Sequence, residues 1–124
     1  MQHDLKALLI GALMLTVPAF AGAAKGTKAA LTPEAGFTQH VQPFLAANCL
    51  GCHNAKVKTA NLDLSQFKSV DSVRSNLKVW RKVAWKLEQG DMPPAKTPQP
   101  KAAAKKAFLK WVNTELASAP VASR

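Results

Sequence analysis

The sequence is poor in cysteine, in acidic side chains and in long apolar runs. Two cysteines in 124 residues are too few for a disulfide framework. A structural zinc site takes four ligands, and past the first residues only His40 and His53 are on hand to join the two thiols. No run near them reads as a strand, so the βαβ setting of a dithiol oxidoreductase is missing. No internal repeat occurs. The longest apolar stretch, Ala7 to Val17 with Thr16 inside it, is shorter than the roughly 20 residues that cross a bilayer. Seven acidic side chains face seventeen Lys and Arg, a formal net charge of +10.

That short apolar stretch suits export instead. Lys6 and the amino terminus supply positive charge ahead of it, Pro18 breaks it, and Ala19-Phe20-Ala21 and Ala21-Gly22-Ala23 are both acceptable small-residue cleavage sites. Residues 1–23 are expected to be a secretory signal and the mature protein to be periplasmic; an uncleaved segment would anchor it to the membrane. Cleavage leaves a chain of about 100 residues, one domain by size. Lys6 and Asp4 cancel, so the mature chain keeps its positive excess.

The two cysteines fall in Cys49-Leu50-Gly51-Cys52-His53. A Cys-x-x-Cys-His run suits covalent attachment of one c-type haem: two thiols add to the two vinyl groups and the adjacent imidazole ligates the iron. A disulfide between the cysteines is the plain rival in an exported chain, but it leaves His53 unexplained. A domain this small gains from a covalent staple, and haem propionates would lower the net charge by up to two.

The rest of the chain reads as helices. Residues 24–34 form a leader, ending in Thr32-Pro33-Glu34, a hydroxyl cap followed by proline and an acid. Phe37, Val41, Phe44, Leu45 and Asn48 then follow a helical stripe, which Pro43 either kinks or splits. Asn54 to Thr59 is a polar loop, and Leu62, Leu64 and Phe67 lie on an irregular stretch or helical turn. Asp71-Ser72 is expected to cap a helix with Val73, Leu77, Trp80, Val83, Ala84 and Leu87 on its apolar face, ended by Gly90. The prolines between Gly90 and Pro100 exclude regular helix there. A last helix runs from about Lys101 to Leu116, with Ala104, Phe108, Trp111, Val112 and Leu116 on one side. The fold class is all-α, three to four short helices wrapped around a haem over residues 35–118, with 119–124 a frayed tail.

Met92 is the candidate for the second axial ligand. Met1 and Met14 leave with the signal, so it is the one methionine of the mature chain. It sits in Gly90-Asp91-Met92-Pro93-Pro94, where Pro93 pushes it toward extended geometry and two prolines stiffen the loop. A gap-filling core methionine is the bland reading. His40 is the competing ligand, but its helix leads straight into the thiols, which places it as a surface residue or a support to the ligands. An iron with an open sixth position would bind gases or substrates rather than only carry electrons.

From Phe37 to Leu116 the chain resembles the planctomycete-type cytochrome c domain, a branch of the cytochrome c superfamily. The matching pieces are Val41-Gln42-Pro43-Phe44-Leu45, the haem pentapeptide, Leu62-Asp63-Leu64, Trp80-Arg81-Lys82-Val83, Gly90-Asp91-Met92-Pro93-Pro94 and Trp111-Val112. The resemblance implies the cytochrome c fold, Cys49 and Cys52 as thioether sites, and His53 and Met92 as the iron's ligands. In that family the domain often sits within a larger chain. Here it stands alone, which implies a diffusible carrier or a small subunit.

His/Met ligation raises the reduction potential above that of a bis-His iron. Trp80 lies on the apolar face of its helix, and its indole N–H is a candidate donor to a propionate. Trp85 falls off that face and is expected to be partly exposed; Trp111 and Phe108 read as ordinary core. Arg74, Lys78, Lys82 and Lys86, with Arg81 beside them, form a basic stripe, and Lys101, Lys105, Lys106 and Lys110 a second set. A solvated helix face is the plain reading of such a stripe. The functional one is docking of an acidic redox protein, or peripheral association with a membrane complex, where positive charge speeds encounter. No base-reading motif points to nucleic acid, and no small-molecule substrate is expected. The protein is expected to be an electron carrier and not an enzyme. The alternatives are a haem-bearing subunit of a larger oxidoreductase and a five-coordinate sensor or peroxidase-like protein.

Overall fold

The structure, a computed structural model, describes residues 29–120. The expected signal and the end of the C-terminal tail lie outside the described residues. Among these residues the fold is all-helical, with no strand.

Thr32 opens the first helix as expected. Its side-chain oxygen accepts from the Ala35 N–H at 3.2 Å, and Pro33 takes the first turn of α1, Pro33–Gly36. There the missing proline N–H would have had no partner anyway. The chain continues through a π turn, Phe37–Val41, into α2, Gln42–Asn48. The wide turn lies just ahead of Pro43, where the Gln42 N–H reaches back to the Phe37 carbonyl. Proline has no N–H for the usual ladder, and the extra residue absorbs the mismatch, so the run neither kinks sharply nor splits. Phe37, Val41, Phe44 and Leu45 all point into the core.

The middle of the chain departs from expectation in two places. The cap of α3, Val70–Arg74, is Ser69 and not Asp71-Ser72: Ser69 and Ser72 side chains each accept from the other's backbone N–H at 3.2 Å. Asp71 lies inside the first turn, where its charge favours the helix N-terminus. The expected single helix is also broken at Ser75 and Asn76 before α4, Leu77–Gln89. Asn76 turns its amide back to the Ser72 carbonyl at 3.0 Å, a side-chain bond that competes with the helical ladder. Val73 and Leu77 are buried on either side of the break, so the apolar stripe survives it. Gly90 closes α4 in the left-handed conformation at φ 78°, where a side chain would be strained.

The last helix, α5, is Ala102–Ser118 and lies against α4 and the π turn. Phe108 and Val112 are fully buried, whereas Ala104, expected on the inner face, is exposed. Rings carry the core. Phe44 stacks on Phe108 with centroids 4.3 Å apart, and Phe67 meets Trp80 edge-on at 5.2 Å. Each such pair contributes about 0.5–1.5 kcal/mol beyond its buried area. Trp111 joins the two ends of the fold. Its Nε1–H donates to the Pro33 carbonyl at 2.9 Å. Gly36 lies so close beneath the indole that a Cβ there would come within 2.4 Å of Trp111 Cδ1.

One long-range ion pair was not legible in the pattern. Glu115 is buried on α5, and its Oε2 accepts from Arg74 Nε at 2.8 Å. Arg74 is thereby committed to the fold and drops out of the free basic stripe.

Candidate haem-attachment site

The end of α2 delivers the cysteines. The Cys49 N–H caps the helix on the Leu45 carbonyl at 2.9 Å, and the Cys52 and His53 N–H groups both fold back to the Cys49 carbonyl, at 3.2 and 3.0 Å. One tight turn therefore holds both thiols and the imidazole. The two thiols are not joined to each other. Cys49 is half-buried and Cys52 exposed. Burial pushes the Cys49 thiol up to about 11, which keeps it protonated at neutral pH. A dithiol exchange pair needs a ready thiolate, and this thiol has the opposite character.

His53 is oriented by the loop that follows. Its Nδ1 lies 3.0 Å from the Thr59 carbonyl oxygen. A carbonyl only accepts, so Nδ1 carries the proton and Nε2 keeps a lone pair for a metal. The same loop is laced to the turn by backbone bonds. Thr59 N–H donates to the Cys52 carbonyl at 2.9 Å, and Leu64 N–H to the His53 carbonyl at 2.9 Å.

Asn54 is the residue that sequence reasoning missed here. Its Nδ2 donates to the Leu50 carbonyl at 2.6 Å, while its Oδ1 accepts from the Lys56 and Val57 N–H groups at 2.9 and 3.0 Å. Donors on one side and acceptors on the other fix the amide's orientation. The available signal was an asparagine opening a polar loop, where its side chain commonly folds onto nearby backbone. The loop then takes three non-glycine residues into positive φ: Lys58 at 45°, Ala60 at 55° and Asn61 at 56°. Such residues cost on the order of 1 kcal/mol each, and they curl the chain so that the Thr59 carbonyl faces the imidazole. Asp63, in the Leu-Asp-Leu piece, accepts from the Ser65 hydroxyl at 2.6 Å, and this bond holds its carboxyl below the usual range.

Met92 stands on a different loop and shares no hydrogen bond with the Cys49–His53 turn among the described residues. It is 37% exposed, so it is not the gap-filling core methionine of the bland reading. Its N–H and that of Asp91 both donate to the Lys86 carbonyl, at 3.3 and 3.1 Å. The Met92–Pro93 peptide is cis. Beyond it, Gln99 Nε2 gathers the carbonyls of Pro93, Pro94 and Thr97 at 3.3, 3.0 and 3.0 Å, so one amide holds the proline-rich segment together. His40 lies half-buried in the π turn.

These features fit a covalent haem. The donor set is two free thiols, one imidazole presenting Nε2 and one partly exposed thioether, the ligand chemistry of a His/Met iron. A Cβ on Gly51 would meet nothing within 4 Å, so the surface over the thiol turn is open. Trp80, wholly buried, has an Nε1–H with no partner, a donor that suits a carboxylate such as a propionate. Among the described residues no three of His, Cys, Asp and Glu gather as a metal site.

Residues 49–96 match the family model described as planctomycete cytochrome C. Over that span the chain has a planctomycete cytochrome C domain. The matched span holds Cys49, Cys52, His53 and Met92. It is narrower than the Phe37 to Leu116 resemblance, and α1, α2 and α5 lie outside it. They supply Phe44, Phe108 and Trp111, which complete the core of the cytochrome domain. No curated protein and no solved structure matches the chain. The Cys-x-x-Cys-His motif in a cytochrome c domain implies a covalently held haem c and a role as an electron carrier.

Proposed function

We propose that this protein is an exported, periplasmic monohaem cytochrome that passes single electrons between redox proteins, with His53 and Met92 as axial ligands. The observation that carries this reading is the His53 Nδ1–H bond to the Thr59 carbonyl at 3.0 Å, which leaves Nε2 available to a metal beside two free thiols. A covalent haem supplies one-electron exchange between ferric and ferrous iron. The chain's own residues make that exchange easy. Cys49 and Cys52 would hold the macrocycle as thioethers. His53 is held in one tautomer and one orientation, and the Lys86 and Gln99 bonds hold the Met92 loop. A site in which both ligands stay put reorganises little when its charge changes, and the thioether favours the ferrous state. The aromatic core around Trp80 and Phe108 would give a bound haem a low-dielectric wall, which would disfavour the extra charge of ferric iron. The positive surface supports an acidic protein partner.

An optical spectrum of the purified protein tests this. A thioether-type pyridine haemochrome shows attachment through both cysteines. A weak ferric band at the red end of the visible shows the Met92 sulfur on the iron, and Met92→Ala abolishes it. A positive midpoint potential is expected. Carbon monoxide binding by the native ferrous protein would show an open sixth position and overturn the carrier reading.

A further inference from the structure

The outward face of α4 carries a half-exposed indole among cations that have no partner. Trp80, Ala84 and Leu87 bury the inner side of the helix. Lys78, Arg81, Lys82 and Trp85 lie on the other side and are all exposed, Trp85 by 51%. At 3.6 residues per turn Arg81 and Lys82 are the neighbours of Trp85 on that face. Among the described residues no ion pair engages Lys78, Arg81 or Lys82. The nearby acids are already engaged: Glu88 accepts from Asn113 Nδ2 at 3.0 Å, and Asp91 accepts from Lys86 Nζ at 2.7 Å. Lys86 Nζ also sits 4.8 Å from the centre of the Trp85 ring. Lys86 thus ties the indole to the residue before Met92.

We propose that Trp85 and the cations around it are the docking surface for an acidic electron-transfer protein, with the indole as anchor and Lys78, Arg81 and Lys82 facing its carboxylates. The inference rests on the electron-carrier reading and gives its partner a location. Tryptophan and arginine are the side chains that most often carry interface energy. Here they sit on a rigid helix, so little freedom is lost on contact. Unpaired like charges on one helix face repel, and an acidic partner relieves that repulsion. The contact through Lys86 and Asp91 sets a docked protein beside the Met92 loop. An anionic membrane fits less well. A helix lying in a membrane needs an apolar face to insert; the apolar face of α4 is spent on the core and its outer face offers one indole.

The test uses the haem-loaded ferrous protein and, as probe, a blue-copper protein with an acidic surface. One electron passes from ferrous iron to cupric copper, giving ferric iron and cuprous copper, and stopped-flow absorbance gives the second-order rate. Replacing Lys78, Arg81 and Lys82 together by Gln is expected to lower that rate about tenfold at low salt and to flatten its salt dependence. Trp85→Ala is expected to lower it several-fold with the salt dependence intact. Replacing Lys101, Lys105 and Lys106 by Gln removes equal charge from the cap and first turns of α5 and should change the rate less than about twofold. Equal losses from the two triple variants, or no loss in Trp85→Ala, would overturn the proposal. A second readout is the NMR signal of the Trp85 indole N–H, expected to shift on adding the cuprous protein while those of Trp80 and Trp111 stay. Binding of vesicles containing phosphatidylglycerol through the same residues, with no Trp85 shift from the copper protein, would also overturn it. A native protein with no reversible one-electron couple at an electrode sinks the carrier reading itself. A reversible couple with indifferent variants sinks only the docking surface.

Discussion

His53 Nδ1 and the Thr59 carbonyl oxygen are 3.0 Å apart, and that oxygen also accepts the Leu62 N–H at 3.2 Å. Both of its lone pairs are used, so the carbonyl cannot swing away from the imidazole without losing a backbone bond. The orientation of the imidazole therefore depends on a loop whose own shape depends on Asn54.

Asn54→Ala should loosen that loop. Two backbone N–H groups and the Leu50 carbonyl lose their partner together. A loss of about 1–2 kcal/mol in denaturant unfolding is expected. The midpoint potential of the haem-loaded protein should shift with it, because the His53 N–H bond that tunes the ligand is weakened.

Ala60→Gly should act the other way. Ala60 holds φ 55° and ψ 29°, a conformation that glycine takes without a Cβ penalty. A gain of about 0.5–1 kcal/mol is expected from the same unfolding measurement. A loss would mean that the loop conformation differs from the one described.

Arg74 and Glu115 should respond unequally. The Arg74 side chain is 45% exposed and that of Glu115 only 4%. Arg74→Ala strands a buried carboxylate and should cost about 2–3 kcal/mol. Glu115→Gln leaves a neutral acceptor and frees an arginine that water can reach, so it should cost less. Thermal melts of the two variants check the order.

Cys49 gives a pH signature that haem attachment removes. Its thiol ordinarily titrates near 9.0 and here near 11. Between those values the unfolded chain releases a proton that the folded chain retains, so stability falls as pH rises through that window and is complete below it. The fall should be about 2–3 kcal/mol at most in the haem-free thiol form. It should be absent in Cys49→Ala and in the haem-loaded protein, whose thioether has no proton to lose. Urea titrations at several pH values decide.

Legibility in the sequence followed the range of each interaction. The Thr32 cap, the Gly90 stop and the Cys49 to His53 turn depend on neighbours within a few residues, and the pattern showed them. The partial exposure of Trp85 followed from its place off the apolar face of α4. The break at Ser75 and Asn76 was hidden because Val73 and Leu77 remain buried on both sides of it, and periodicity alone carries the stripe across. The Ser69 cap was masked by Asp71-Ser72, an equally good pair two residues on. Arg74 looked like one more member of a basic stripe because Glu115 is 41 positions away. Gln99 looked like a loop residue because its three carbonyl partners gather only once the proline segment has folded around it.

The bond from Trp111 to Pro33 spans 78 positions, and this has a consequence in time. A chain made from its N-terminus cannot close the seam between its first and last helices until Trp111 has been synthesised. Until then Gly36 has no indole to pack against, Phe44 has no Phe108, and α2 lacks the surface that fixes its far end. Cys49 and Cys52 therefore spend the growing phase of the chain on an open segment. Cys49 packs against the core cluster that Phe108 and Trp111 help to form, so the burial that raises its thiol is complete only once the final helix has arrived.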